Sequence, residues 1–317
     1  MKVPDFERLA ERVRNWGRWG AADQRGTLNH ITPEALKRAA GSVRQGKLFN
    51  LGLDFNANGP QTGQGKRFNP KLYAVDLFAP INPTRPDVCF SDDVIHMPLQ
   101  CATQWDAFAH VHYGGQLYNG AKAAEAFSVS GTSHCGIDHL ARPGIMSRGV
   151  LLDIARLRGA DILPRDYAIT VDDLRAACDK QNVTLEPGDI LLVRTGQIRR
   201  FTETGDRAGF GGLQPGLDAT CAEWVYERSI AAVAADNLAV EVITEELHNP
   251  NLPRDVMPLP FHMLMLRDMG CPLGEIFNLE ALAADCAADG QYAFQLAAPP
   301  LAVTGAFGSP INPLALK

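Results

Sequence analysis

The apolar positions change period several times along the chain, and each change marks an element. Phe6, Leu9 and Val13 recur at helical spacing, so residues 5–16 predict a short amphipathic helix. Thr32 stands where an N-cap belongs, with Pro33 in the first turn, "EALKRAA" as the helix body and Gly41 or Gly46 as its stop. "KLFNLGLDF" reads as a strand, and "VIHMPLQCATQWD" as a strand feeding the loop "AHVHYGGQLYNG". "GVLLDIA" and "DILLVRTG" are continuous apolar runs suited to strands buried on both faces. Between them, Thr170 opens the helical pattern "TVDDLRAACDKQ". "CAEWVYERSI" predicts a further helix and "AAVAAD" a buried strand. "FHMLMLRDMG" predicts a buried helix closed by Gly270, "NLEALAADCAADG" a shorter one, and the C-terminal stretch has strand character broken by Pro and Gly. Residues 56–71 read as a surface loop, with Lys66 and Arg67 solvated, and "GFGGLQPG" as a mobile loop. Strands and helices mix throughout, without repeats or a linker. The expectation is α/β: one domain spanning 1–317, with a helical segment of about residues 1–48 packed on it.

Composition narrows the function classes. Of 317 residues, 46% are hydrophobic and 21% charged, enough to build a sizeable core. The formal charge is -6 and no Lys/Arg cluster stands out, which argues against nucleic acid as a partner. A small anionic substrate stays compatible, because a basic pocket can exist inside an acidic protein. The first residues lack the apolar core of a signal peptide, and no run is long enough to span a bilayer. The expected location is cytoplasmic, with no membrane partner. Seven dispersed cysteines without a Cys-x-x-Cys pair point to reduced thiols and away from a cysteine-held zinc.

Eight histidines make the search for catalytic groups short. Hydrolysis at neutral pH needs an activated water, a group to move its proton and a site for developing oxyanion charge; a divalent metal supplies the first and third. Its ligands are imidazoles and carboxylates gathered from distant segments. Asp106 and His110 lie four residues apart in "QCATQWDAFAH", beside Thr103, Gln104, Trp105 and His112. His262 and Glu275 bracket the apolar "FHMLMLRDMG" segment, where an unpaired buried carboxylate would be costly. "EELH" at 245–248 is half of a zincin helix with no second histidine at the required spacing. No nucleophile elbow, P-loop or dinucleotide fingerprint is present, and His30, His96, His134 and His139 read as structural.

Taken together, "WGAADQRGTLNHITPE", "ATQWDAFAHV", "SRGVLLDIA", "GDILLVRTG", "LPFHMLMLRDMGCPLGEIFNLEAL" and "GSPINPLAL" resemble the cyclase family of metal-dependent hydrolases, which includes bacterial kynurenine formamidase and isatin hydrolase. The resemblance implies a swivelling β/β/α fold, a homo-oligomer (dimer or tetramer), and hydrolysis of small amides, lactams or lactones at one divalent ion, zinc or manganese. The family motif His-x-Gly-Thr-His-x-Asp-x-Pro-x-His falls on residues 100–110. Gln100 and Gln104 replace its first two histidines, Ala102 its glycine and Phe108 its proline, while Thr103, Asp106 and His110 match. A glutamine carbonyl is neutral and a weaker zinc ligand than imidazole. By this resemblance Asp106, His262 and Glu275 hold the metal, and His110 is the base or a fourth ligand. Gln100, Gln104, Trp105, Tyr118 and Asn119 are then substrate-binding, with a weak-ligand role for Gln104 and a core role for Trp105 equally open. The altered motif points to a branch other than kynurenine formamidase. Two rivals stay open: a metal-free lyase or isomerase using Asp106 and His110, and a non-catalytic ligand-binding relative.

Overall fold

A computed structural model describes residues 1–63 and 66–317. Among them, nine strands form one mixed sheet. Its spatial order is Leu48–Asn50, Leu314–Leu316, Ala293–Ala297, Met146–Asp153, Ile190–Arg194, Ala232–Ala235, Leu273–Glu275, Gln104–Asp106 and Gly308–Pro310. The central four, Met146–Asp153 through Leu273–Glu275, are parallel, and the flanking pairs are antiparallel. Val150, Leu151, Leu152, Ile190, Leu191 and Leu192 are fully buried, as their unbroken apolar runs require when both faces of a sheet are covered.

Helices cover the sheet where their caps and apolar stripes predict. Val3–Val13 buries Phe6, Leu9, Ala10 and Val13. Pro33–Ala40 begins with Thr32 accepting from the Ala35 amide, and Val171–Gln181 with a reciprocal capping box between Thr170 and Asp173. The "FHMLMLRDMG" helix runs from Pro260 to Met269, its later turns π-type, and ends at Gly270 with φ +67°. A Cβ there would collide with the Tyr118 ring, so glycine is required twice over.

Two expectations need correction. The segment "VIHMPLQCATQWD" is not one strand: Arg85–His96 and Gln104–Asp106 are separate strands in different sheets. The first of them pairs with Lys71–Asn82 as a two-stranded antiparallel arm whose residues are almost all exposed. "GFGGLQPG", expected as a mobile loop, is in part regular: Arg207–Gly211 is a short helix, Gly216–Leu217 a strand, and Gly211, Gly212 and Gln214 line a cavity. All seven cysteines are free thiols. Among the described residues no helix is long and apolar enough to cross a membrane.

Candidate functional site

Strand register assembles the centre of the site. Gln104–Asp106 pairs antiparallel with Leu273–Glu275, placing Gln104 opposite Glu275 and Asp106 opposite Leu273. Side chains two apart on a strand share a face, so Gln104, Asp106 and Glu275 project together. Trp105 must then face the other way. Its indole is fully buried against Phe277 at 5.5 Å and donates to the Ala298 carbonyl at 2.8 Å. Gly274, directly opposite, leaves room for that ring, because a Cβ there would sit 2.7 Å from it.

His262 arrives from the start of the buried helix. Its Nδ1 lies 2.6 Å from Glu241 Oε1, which also accepts from the His262 amide at 3.0 Å. Glu241 thereby fixes the ring and turns Nε2 toward the carboxylates, 3.3 Å from Glu275 Oε1 and 4.0 Å from Asp106 Oδ2. Strained backbone flanks Glu241 and Glu275 directly and lies three residues before His262. Val240, Leu259 and Ile276 are non-glycine residues with φ of +56°, +46° and +60°. Such conformations persist only where surroundings impose them, and they collect at functional sites. At Ile276 two hydrogen bonds do so, from its amide to Asn237 and from Thr103 Oγ1 to its carbonyl.

One donor atom from each of Asp106, His262 and Glu275 can be chosen so that all lie within 4.8 Å of one another, and all three residues are buried. The cluster has surplus negative charge, since three carboxylates (Asp106, Glu241, Glu275) surround one imidazole, and unpaired buried charge is expensive. Asp106 Oδ2 and Gln104 Oε1 are buried without a hydrogen-bond partner. Burial, then the neighbouring Glu275 charge, raises the Asp106 pKa well above the usual carboxylate range. His262 shows the complementary effect. Burial pulls it down, but its bonds to Glu241 and Glu275 carry it up to about 10. Two hard oxygen donors, one nitrogen, an orphaned carboxylate oxygen and excess negative charge fit a divalent cation.

Gln104 is drawn into this cluster but does not line the cavity. Its fully buried amide donates to Glu275 Oε2 at 2.6 Å and Asp106 Oδ1 at 3.4 Å, bracing the two carboxylates. His110 stands at the cavity wall with Nε2 3.7 Å from Asp106 Oδ1. Burial first, then the charges of His262 and Arg67, pushes its pKa down to about 3, leaving a neutral imidazole at pH 7. The cavity, about 230 Å3, is also lined by Arg67, Gln214, Leu238, Leu259, His262 and Glu275. Arg67 was expected in solvent; instead it is half-buried, and no hydrogen bond or ion pair among the described residues engages its side chain.

The remaining expected substrate contacts lie elsewhere. Trp105 belongs to the core. Tyr118 is buried, donating to Asp23 Oδ2 at 2.9 Å. Asn119 donates to the carbonyls of Gly20, Ala21 and Asp23 and accepts from the Gly17 amide, so both residues tie down the N-terminal segment. Gln100 packs its amide against Gly308 outside the cavity lining. Glu241 and Arg67 are the residues sequence reasoning missed. Glu241 sits in the apolar "AVEVIT", where a lone carboxylate between valines signals a buried charge needing a partner, but nothing in the chain names His262 as that partner.

Residues 67–242 match the family described as "Putative cyclase"; Arg67, Asp106, His110 and Glu241 lie inside the matched span, and His262 and Glu275 beyond it. A crystal structure of a novel cyclase superposes with TM-score 0.85 and 40% identity, covering 96% of this chain and all of that one. Isatin hydrolase A from Ralstonia solanacearum shares the fold at TM-score 0.61 and 20% identity, over 88% of this chain and 93% of its own. An isatin hydrolase bound to the product analogue thioisatinate does so at TM-score 0.61 and 18% identity, over 89% and 95%. No curated protein matches the chain significantly. The fold is thus the swivelling β/β/α fold the sequence implied, and with a profile match over more than half its length and a relative aligned end to end, this chain belongs to the cyclase family.

Proposed function

We propose that the protein is a metal-dependent hydrolase of a small amide, lactam or lactone bearing an anionic group. The observation that carries the reading is the buried Asp106–His262–Glu275 cluster, with its unpartnered Asp106 oxygen, opening on a cavity walled by a neutral histidine and by Arg67, which has no hydrogen bond or ion pair among the described residues. Asp106, His262 and Glu275 would hold one divalent ion, zinc or manganese. Such an ion, when bound, acidifies water and polarises a carbonyl.

The chain's own groups supply the rest. His110, neutral and beside Asp106, takes the proton from the attacking water and returns it to the leaving nitrogen or oxygen. Glu241 holds His262 in one tautomer, and Gln104 holds Glu275. Arg67 binds the substrate's anionic group and so orients its carbonyl. A cavity of about 230 Å3 admits only a small substrate. The isatin hydrolases of the same fold act, by their name, on a small cyclic amide, which supports that size class.

The deciding experiment is a turnover screen of small lactams, lactones and N-acyl compounds, each with and without a carboxylate. It is run on metal-stripped enzyme with and without added Mn2+ or Zn2+. Metal-dependent turnover favouring the carboxylate-bearing members is expected. Turnover that survives complete metal removal would favour the Asp106–His110 acid–base pair instead. The absence of any turnover by metal-loaded enzyme would favour a binding protein.

A further inference from the structure

A second cavity, of about 390 Å3, lies on the far side of Arg67 from the reacting groups. It shares Arg67, Gly211 and Leu238 with the catalytic cavity, so the two adjoin across the arginine. Small-molecule sites usually measure about 300–1,000 Å3; the inner cavity, at about 230 Å3, falls short of that alone, and the pair does not. The outer chamber has a fixed floor and a fixed rim. Phe210 and Leu238 give it an apolar floor, packed with Ile198 and with Ile276, which directly follows Glu275. The segment bearing Lys66 and Arg67 is tied at both ends. The Gln61 amide donates to Asn69 Oδ1 at 2.8 Å, and Asn69 Nδ2 donates back to the Gln61 carbonyl at 3.0 Å. Gln61 Nε2 also donates to the Cys101 carbonyl at 2.8 Å, and Arg207 Nε to the Gly59 carbonyl at 2.7 Å. A rim held in place before binding spends less free energy on ordering when a ligand arrives.

The charge of the outer chamber has one sign. Among the described residues Lys66 and Arg67 line it, no carboxylate does, and neither cation makes an ion pair, although the chain as a whole carries -6. Adjacent like charges repel until an anion lies between them. Arg67 stands at the junction, within reach of an anionic group on the reacting end of a substrate. Lys66 lines the outer chamber and not the inner one, so that first group leaves it unanswered. Two cations over an apolar floor fit a molecule with separated negative charges and hydrocarbon between them. We propose that the outer chamber is a subsite for a second anionic group, so that the substrate is an acyl compound bearing two carboxylates. Arg67 takes the nearer carboxylate and Lys66 the farther, with the hydrocarbon between them laid on Phe210 and Leu238. The inner cavity then holds the reacting carbonyl alone. This rests on the hydrolase reading for the reacting end, while recognition of the diacid stands on the chamber itself.

The test is calorimetric titration of the purified protein with succinate, adipate and suberate, each against its monomethyl ester, on wild type, Lys66→Met and Lys66→Glu. Lys66 is exposed, so both variants should keep the wild-type circular dichroism. Wild type is expected to bind its preferred diacid about fivefold tighter than the matching ester, an advantage that shrinks as salt rises from about 0.05 to about 0.5 M. Lys66→Met should erase the advantage and leave ester binding within about twofold, and Lys66→Glu should reverse it. No binding of any diacid, equal binding of diacids and esters by wild type, or an advantage that survives Lys66→Met would overturn the subsite. Turnover separates this from the hydrolase reading. Metal-dependent turnover of monocarboxylates without preference for dicarboxylates overturns the subsite alone. Diacid binding that depends on Lys66, with no substrate turned over, supports the subsite and counts against hydrolysis.

Discussion

Glu241→Gln isolates the role of the carboxylate behind His262. Gln is nearly isosteric and keeps one oxygen, which can still accept from His262 Nδ1 and the His262 amide as Oε1 does at 2.6 and 3.0 Å, while the Phe261 amide, 3.3 Å from Oε2, loses its acceptor. The negative charge is lost. That charge polarises the imidazole and increases its basicity at Nε2, the nitrogen facing Asp106 and Glu275. Removing such a partner from a metal-bound histidine costs about 10–100-fold in affinity or activity, equivalent to about 1.4–2.7 kcal/mol of binding free energy. Calorimetric titration of metal-stripped protein with Mn2+ or Zn2+ reads this directly. The stability of the metal-free protein in thermal unfolding should fall by no more than the loss of the long Phe261 contact, about 1 kcal/mol, since both His262 contacts keep their acceptor. An affinity within twofold of wild type would refute the assignment of Glu241 as the group that orients a ligand. Loss of folding would show that the buried charge serves the fold instead.

Three further outcomes follow from the same geometry. His110→Ala should lower kcat by about 10²–10⁴-fold while metal affinity stays within about threefold, because its nearest approach to the cluster is 3.7 Å; parallel loss of both would make it a ligand. Arg67→Met should raise KM for carboxylate-bearing substrates about 10-fold or more and leave uncharged analogues unchanged; equal effects on both sets would remove its role as an anion anchor. Arg194→Ala should destabilise the fold by about 3–5 kcal/mol in urea unfolding. It strips a nearly inaccessible guanidinium from Asp153 at 2.9 Å and from a bidentate contact with Glu280 at 2.8 Å; a change below about 1 kcal/mol would contradict that weight.

The core strands and main helices were legible because their signals are local. "DILLVRTG" reads as buried whatever it pairs with, and Thr170 caps its helix through atoms three residues away. The site was legible in part. Asp106, His262 and Glu275 converge as the family resemblance implied. Trp105 stayed open between pocket and core because strand alternation, invisible until "QWD" is known to be a strand, is what turns it into the core. Tyr118 and Asn119 contact residues about a hundred positions away, a separation no local pattern records. Arg67 was assigned to solvent because its loop is Gly- and Asn-rich, yet its side chain lines the cavity. The arm went unread: residues 72–93 were given no element, and the end of its second strand was merged into "VIHMPLQCATQWD".

The central claim is that Asp106, His262 and Glu275 bind one divalent ion. Titrating metal-stripped wild-type protein and its Asp106→Ala variant with Mn2+ and Zn2+ tests it most directly. The account predicts one tight site per chain in the wild type, weakened at least 100-fold by Asp106→Ala while circular dichroism is preserved. A wild type that binds neither ion, or a variant that binds as tightly as wild type, would contradict it.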